Sequence, residues 1–210
     1  MSDAASRPGR KAKRAMNGKN FGPAAGAAKA RPARDSYRHG NLREAALAAA
    51  CALVAAGGEA ALSLRRVAAA AGVAHSSLYN HFADREALVD AVAEAGFEAL
   101  ARKLQAAATR AEFVRAYVRF VLDNANLYQV MKSQPVSVIN RKPGLQRAIQ
   151  LSVKESARLF CDPNADAIEN RRMVIKVLIL LYGGISMYLE GILDFAGEDE
   201  LIAELQSMLP

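Results

Sequence analysis

Apolar residues recur three and four positions apart along most of the chain after residue 40, which is the spacing of one buried helix face. Strand-like alternation of apolar and polar residues is missing from the same stretch. Start and stop signals divide the pattern into separate segments. The predicted helical segments are 41–56, a pair of short helices over 63–82, 84–107, a helix opening at 109, 126–131, 144–160, 165–195 and 199–208. The sequence therefore predicts an all-α fold.

Local signals mark several of these helix ends. Asn41 with Glu44, and Thr109 with Glu112, have the spacing of capping boxes, in which two side chains satisfy the first backbone N–H groups. Two consecutive glycines at 57 and 58 predict the end of the first helix. Prolines and a glycine between 135 and 144 predict a loop.

The segment Ser63–Phe82, SLRRVAAAAGVAHSSLYNHF, predicts two short helices joined at one glycine. Ser63 is a good N-cap, and Gly72 can end the first helix because glycine enters the left-handed conformation without steric cost. The second helix carries small hydrogen-bonding side chains around two apolar anchors, Leu78 and Phe82. A helix–turn–helix places its second helix in the major groove of DNA, where such side chains reach base edges and phosphates.

This part of the chain resembles the DNA-binding core of the TetR family of transcriptional regulators. Residues 37–58 are similar to that family's first helix, and residues 84–100 to its long linker helix. The most specific match is LYNHF at Leu78–Phe82, followed by a helix start in which Arg85 stands where lysine is common. The strong resemblance covers residues 37–100, and beyond them only the architecture is similar.

The resemblance implies a DNA-binding regulator in three parts. We expect a disordered basic arm over 1–36, a helix–turn–helix domain over 37–100 with its motif at about 63–82, and a helical effector-binding and dimerisation domain over 101–210. The implied partners are double-stranded operator DNA, a small-molecule effector of unknown identity, and a second copy of the chain bound through the C-terminal helices.

The candidate DNA contacts lie on and beside the helix–turn–helix. The resemblance implies that Tyr79 and His81 contact phosphates, although for His81 alone a buried, hydrogen-bonded histidine is the ordinary interpretation. Arg65 and Arg66 flank the first helix of the motif, either facing DNA or as solvated charges. Residues 67–84 contain no Lys or Arg, so phosphate contacts and DNA shape should carry more of the affinity than base contacts. The candidate set is Arg38, Ser63, Arg65, Arg66, His75, Ser76, Ser77, Tyr79, Asn80, His81 and Arg85.

The second half of the chain supplies aromatic residues and methionines that suit an apolar ligand cavity. Each taken alone is an ordinary core residue, but the resemblance implies a domain that senses a small molecule. The candidate ligand residues are Phe97, Phe113, Tyr117, Phe120, Tyr128, Met131, Met173, Tyr182 and Met187.

Residues 178–189 are apolar almost all round the predicted helix, which calls for burial on more than one side. The resemblance implies that the last two helices pair with their mates in a dimer. Gly183 and Gly184 would permit a close backbone approach there. A core helix within a monomer is the alternative, and Ile185 is the residue we select from the sequence to test the interface.

The charge of the chain is unevenly distributed. The sequence has 28 Lys and Arg against 21 Asp and Glu, and residues 1–36 hold nine of the basic and two of the acidic residues. All of the net charge of +7 therefore lies in this tail. Its Ala-, Gly- and Pro-rich composition predicts disorder, and it is either an arm that follows DNA phosphates or a solvated segment.

The sequence offers no catalytic constellation, metal site or cofactor motif. The three histidines, His39, His75 and His81, lie in the DNA-binding part, and Cys51 and Cys161 have no metal-ligand spacing. Unpaired cysteines and the lack of an apolar leader indicate a cytoplasmic protein, and the uncharged run 177–189 is short for a membrane span.

We interpret the chain as a non-enzymatic, cytoplasmic, homodimeric regulator, and specifically as a ligand-responsive repressor acting on a palindromic operator. Three alternatives stay open at this point. One is an activator of the same fold, and another is an architectural protein that binds DNA without sequence choice through its basic tail. The third is an enzyme or carrier that keeps a degenerate DNA-binding fold.

Overall fold

The computed structural model describes residues 39–134 and 139–209, and the regular structure within these ranges is entirely helical. The helices, numbered here in chain order, are α1 (His39–Gly57), α2 (Leu64–Ala71), α3 (His75–Leu78), α4 (Arg85–Gln105), α5 (Arg110–Asp123), α6 (Ala125–Lys132), α7 (Pro143–Phe160), α8 (Ala167–Leu189) and α9 (Glu198–Met208). A 3-10 turn, Glu59–Ala61, joins α1 to α2. The predicted all-α fold is confirmed.

Helices α1 to α3 form a small N-terminal bundle. Ala46, Ala50 and Val54 are fully buried and lie four residues apart, so they form one stripe along α1. Val67 of α2 and Leu78 of α3 are also fully buried and complete the same core. Small alanine side chains on α1 let the short α2 pack close to it.

Helix α4 is the central element of the molecule and belongs to both halves. It packs against α1 in the N-terminal bundle and against α5, α6 and α7 in the C-terminal half. Leu88, Val92, Leu100 and Leu104, spaced along its whole length, are almost completely buried. The helix continues to Gln105, so a rigid rod crosses the boundary expected at residue 100.

Several predicted helix ends are confirmed by hydrogen bonds. The Ser63 hydroxyl oxygen accepts from the backbone N–H of Arg66 at 3.2 Å, which caps α2. Thr109 and Glu112 form the predicted capping box at the start of α5. These ends depend on residues within one helical turn, which is why the sequence pattern locates them.

Two predicted ends are wrong. Helix α1 begins at His39, so Asn41 lies inside it and cannot be its N-cap. Helix α8 ends at Leu189 rather than at residue 195. The reason is Gly191, whose φ of 72° lies in the left-handed region and turns the chain out of the helix.

Helix α9 packs against α8 at a glycine. A Cβ atom on Gly184 would lie 2.6 Å from Cδ2 of Leu205, so only glycine lets the two helices approach this closely. A Cβ atom on Gly183 would meet no atom within 4 Å. Ile185 is fully buried inside the subunit, so it belongs to the core of one chain and is not the interface residue selected from the sequence.

Candidate nucleic-acid interface and effector region

The turn between α2 and α3 sets the direction of the second helix. Gly72 adopts the left-handed conformation, with φ of 68°, and ends α2. The backbone N–H of Val73 bonds to the carbonyl of Ala68 at 3.0 Å, and α3 begins two residues later at His75. Leu78 and Phe82 are buried and hold α3 and the turn after it against the core.

This anchoring leaves a polar surface toward solvent. His75, Ser76 and Asn80 are exposed, and Tyr79 is 51% exposed although it is a large aromatic residue. The His75 and Tyr79 rings meet edge to face, with centroids 5.2 Å apart. Their polar atoms therefore lie on one continuous surface, which exposes hydroxyl, amide and imidazole groups.

The remaining candidates lie at the rim of this surface. Ser77 and His81 are half-buried, and Arg65 and Arg66 are exposed on α2. Ser63 is half-buried and uses its oxygen as the cap of α2, while its hydroxyl proton stays available to a phosphate. Arg38 lies outside the described residues.

Arg85 makes several contacts within the chain. Its Nε donates to the carbonyl of Leu62 at 3.1 Å, and one of its terminal nitrogens donates to the carbonyl of Glu59 at 3.0 Å and to the Glu59 carboxylate at 3.1 Å. The side chain thus ties the first turn of α4 to the 3-10 turn that precedes the helix–turn–helix. We infer that it positions the motif.

Sequence reasoning missed one cation beside this surface. The guanidinium of Arg43, an exposed residue of α1, lies 5.7 Å from the ring centroid of Phe82. It therefore lies next to the end of the LYNHF segment. The available signal was a basic residue near the start of the first helix, but its neighbour in space is 39 positions away in the chain.

The candidate ligand residues lie on α4, α5, α6 and α8, and they are buried to different degrees. Phe113, Tyr117, Phe120, Tyr128 and Met131 are buried, whereas Phe97 and Met173 are half-buried and Tyr182 is 48% exposed. One buried member, Met131 of α6, packs closely against α4. A Cβ atom on Gly96 of α4 would lie only 2.7 Å from the Met131 sulfur, so the absence of a side chain at Gly96 lets α6 pack this close.

Two tyrosines form the polar part of this group. The hydroxyl oxygens of Tyr117 and Tyr128 are 3.4 Å apart in a buried environment. Burial raises the pKa of both phenols above the ordinary value of 10.0, so both stay neutral at physiological pH. The pair can accordingly donate as well as accept hydrogen bonds.

Helix α8 exposes a line of large apolar side chains on the side away from the core. Ile168, Ile175, Ile179 and Tyr182 are between 43% and 66% exposed and recur at helical spacing. A groove of about 420 Å³ lies along this line and contains none of the candidate ligand residues. Its lining residues are Arg172, Ile175, Lys176, Ile179, Leu180 and Met208.

Within the described residues, α8 is the helix whose length and composition would allow it to cross a membrane, with a mean hydropathy of 1.6 over its most apolar window. Only 22% of that window is buried inside the subunit. An apolar helix at a protein–protein interface has the same composition. No cluster of three or more His, Cys, Asp or Glu side chains that could hold a metal occurs in the part of the chain that the structure describes.

Comparison with known proteins gives a family for the N-terminal bundle. The sequence profile of bacterial regulatory proteins of the tetR family matches residues 46–92, which run from α1 through the helix–turn–helix into α4. No curated protein matches the sequence significantly.

Solved structures share the fold over about four fifths of the chain. A protein of unknown function from Rhodococcus sp. RHA1 is 27% identical, with a TM-score of 0.66, covering 82% of this chain and 95% of that one. A member of the TetR family from Streptomyces coelicolor A3 is 21% identical, with a TM-score of 0.56, covering 80% of this chain and 98% of that one. The multidrug binding protein EbrR, in complex with proflavin, is 22% identical, with a TM-score of 0.55, covering 80% of this chain and 99% of that one.

Proposed function

The chain belongs to the TetR family of DNA-binding transcriptional regulators, and from this premise we propose that it is a ligand-responsive repressor that binds a palindromic operator as a homodimer. We further propose that it acts in the cytoplasm and is not an enzyme. The observation that carries the proposal is the exposed polar surface of α3, which Leu78 and Phe82 anchor to the core.

The composition of that surface determines how DNA would be bound. Tyr79 and His81 are proposed to donate to phosphates, and Ser63, Arg38 and Arg43 are proposed as further contacts. The bases would be read by the short side chains of α3, which form one or two hydrogen bonds each. Because α3 has no Lys or Arg, phosphate contacts and DNA shape would contribute most of the affinity. The remaining proposed base and phosphate contacts are Arg65, Arg66, His75, Ser76, Ser77 and Asn80.

The exposed apolar line on α8 supports a dimer. A monomeric protein rarely leaves Ile175, Ile179 and Tyr182 exposed together along one helix. A second copy related by twofold symmetry would cover the same line on both chains. The open space beside Gly183 would allow the partner backbone to approach closely. Such a dimer presents two copies of α3, as two operator half-sites require.

Helix α4 supports a route from an effector to the DNA-binding bundle. At its first turns, Arg85 bonds to Glu59 of the 3-10 turn before the motif, and Glu86 and Asp90 form ion pairs with Lys142 at the start of α7. An effector that binds one arrangement of α4 more tightly than another would shift the population between them. EbrR, which shares this fold, binds proflavin, and a small-molecule effector is proposed here for the domain over 101–210.

The basic arm over 1–36 lies outside the described residues. We propose that it adds phosphate contacts that do not depend on DNA sequence. The helix–turn–helix domain that follows the arm is proposed to cover residues 37–100.

The test is operator binding by two variants. An operator is first selected from random DNA fragments, and its affinity is measured by fluorescence anisotropy. Tyr79→Phe and His81→Ala should each weaken binding at least about tenfold, since a hydrogen bond to a charged group contributes about 1.5–3 kcal/mol. Tyr188→Phe removes the same hydroxyl group from α8 and should leave the affinity unchanged.

Three outcomes would contradict the proposal. Unchanged affinity in both variants, with circular dichroism showing a folded protein, would refute the phosphate contacts. Selection that yields no preferred sequence would favour the architectural alternative. Transcription that rises when the protein occupies its operator would favour the activator.

A further inference from the structure

Helix α6 touches three functional parts of the molecule. At its start, the side-chain amide of Asn126 donates to the carbonyl of Ala55 near the end of α1, at 3.0 Å. In its last turns, Met131 fills the space left by Gly96 on α4. Lys132, its last residue, contacts α8 through Tyr182. A shift of α6 would therefore be felt by the DNA-binding bundle, the linker helix and the proposed dimer helix.

The ammonium group of Lys132 is held by aromatic rings. Its Nζ lies 6.0 Å from the ring centroid of Tyr128 and 5.5 Å from that of Tyr182. Among the described residues, no carboxylate forms an ion pair with it. A half-buried cation on ring faces keeps its N–H donors free for a stronger acceptor, because the contact with a ring uses the charge and not a lone pair.

The buried tyrosine pair also has one hydroxyl proton that the hydrogen bond between the two residues does not use. Two neutral hydroxyl groups bring two protons, and only one of them can lie between the oxygens of Tyr117 and Tyr128. Both residues are less than 10% exposed, and among the described residues their contact with each other is the hydrogen bond that their hydroxyl groups form, so the second proton is left for another acceptor. Lys132 lies against the ring of Tyr128, which is itself a member of this pair.

We propose that Lys132 and the Tyr117–Tyr128 pair form the polar end of the effector site, and that the effector is an organic acid with an apolar body. This inference rests on the proposed function. The carboxylate would bind the Lys132 ammonium and accept from the spare hydroxyl. The apolar body would lie among the aromatic and methionine side chains of α4, α5 and α6, after these move apart.

The same contacts explain how such a ligand would act. A carboxylate draws the ammonium away from the two rings, which loosens the contact between α6 and Tyr182. Because Asn126 fixes the other end of α6 to α1, the change reaches the DNA-binding bundle along one short helix. Acid binding and operator binding would then be coupled through a common element.

The test measures ligand-induced changes in melting temperature without DNA. The acid probes are benzoate, salicylate and octanoate, and the comparison probes are benzamide, octanamide and the cation proflavin. At least one acid should stabilise the wild type more than its uncharged counterpart does. Lys132→Met should need about tenfold more of that acid for the same shift, since a charge-assisted hydrogen bond is lost.

Three further variants make the test specific. Lys103→Met removes an exposed lysine from α4 and should respond like the wild type. Lys132→Arg keeps the charge and should retain most of the response, which also covers the case in which Lys132→Met fails to fold. Tyr128→Phe removes one hydroxyl and should respond less than the wild type.

The proposal is overturned if no acid stabilises the wild type, if the amides or proflavin stabilise it as well as the acids do, or if Lys132→Met responds like the wild type. Operator binding by the unliganded protein is measured separately. A protein that binds acids through Lys132 without binding an operator would leave this site in place and refute the regulatory role. A protein that binds its operator but no acid would support the regulatory role and refute the acid site.

Discussion

Replacing Ile179 with Asp should separate the proposed dimer into folded monomers. Ile179 is 66% exposed in the single chain and lines the groove on α8, so within one subunit it contributes little to folding. Ile185, six residues further along the same helix, is completely buried in the subunit core. Ile179 therefore tests the proposed dimer interface, whereas Ile185 tests the core of the single subunit.

The magnitude follows from the exposed fraction. Complete burial of an isoleucine side chain contributes about 1.5–3 kcal/mol, so covering two thirds of Ile179 contributes about 1–2 kcal/mol per chain. Twofold symmetry doubles this to about 2–4 kcal/mol, and the desolvation of two aspartates adds to the loss. The dimer dissociation constant should rise at least about thirtyfold.

Sedimentation velocity over a range of micromolar concentrations measures the assembly state, and thermal circular dichroism measures folding. Ile179→Asp should sediment as a monomer and keep its helical spectrum. Leu151→Asp changes an exposed apolar residue on α7 and should leave the dimer intact. Ile185→Asp should unfold the chain, since it buries an unpaired charge. A monomeric wild type, or an Ile179→Asp variant that remains a dimer, would refute the reasoning.

Three further predictions follow from other contacts. Arg85→Met should lower operator affinity several-fold at unchanged salt dependence, because the lost bonds position the motif; a change in the log–log salt slope would instead identify a phosphate contact. Deleting residues 2–36 should weaken binding to operator and random DNA alike and lower the salt slope by about 2–3, as titrations at several salt concentrations would show. Burial raises the pKa of the Cys51 thiol to about 11, so mass spectrometry after iodoacetamide treatment at pH 8 should find Cys161 labelled and Cys51 protected until the chain unfolds. Because that pKa is raised from 9.0, the contribution of the neutral thiol to stability is complete below pH 9 and is lost as the pH rises toward 11.

The sequence pattern located the helices well because their signals are local. The cap at Ser63, the left-handed Gly72 and the Thr109 capping box each depend on residues within about one turn. The end of α8 was placed too late because apolar residues continue past the glycine at 191, where the backbone turns. Hydrophobicity alone carries no information about backbone direction.

Contacts between residues that are distant in sequence, and the exposure that depends on those contacts, were harder to predict. Ile179 and Ile185 have the same side chain on the same helix, and only the position of the neighbouring helices decides which one is exposed. Arg85 was grouped with the DNA contacts because of its position after the motif, but its acceptors lie more than 20 residues earlier in the chain. The sequence does not single out Lys132, because one of its two aromatic neighbours, Tyr182, lies 50 positions further along the chain on α8.

The brevity of α3 has a consequence for the temperature range in which the protein can recognise DNA. A helix of four residues, His75–Leu78, cannot sustain itself, because one hydrogen-bonded turn does not offset the cost of nucleation. Its order depends on Leu78 and Phe82 remaining seated in the core below it. Local opening of these two side chains should cost less free energy than global unfolding. On warming, the surface that reads the operator should therefore be lost before the helical spectrum of the whole chain changes, so that the regulator releases its DNA while it is still largely folded.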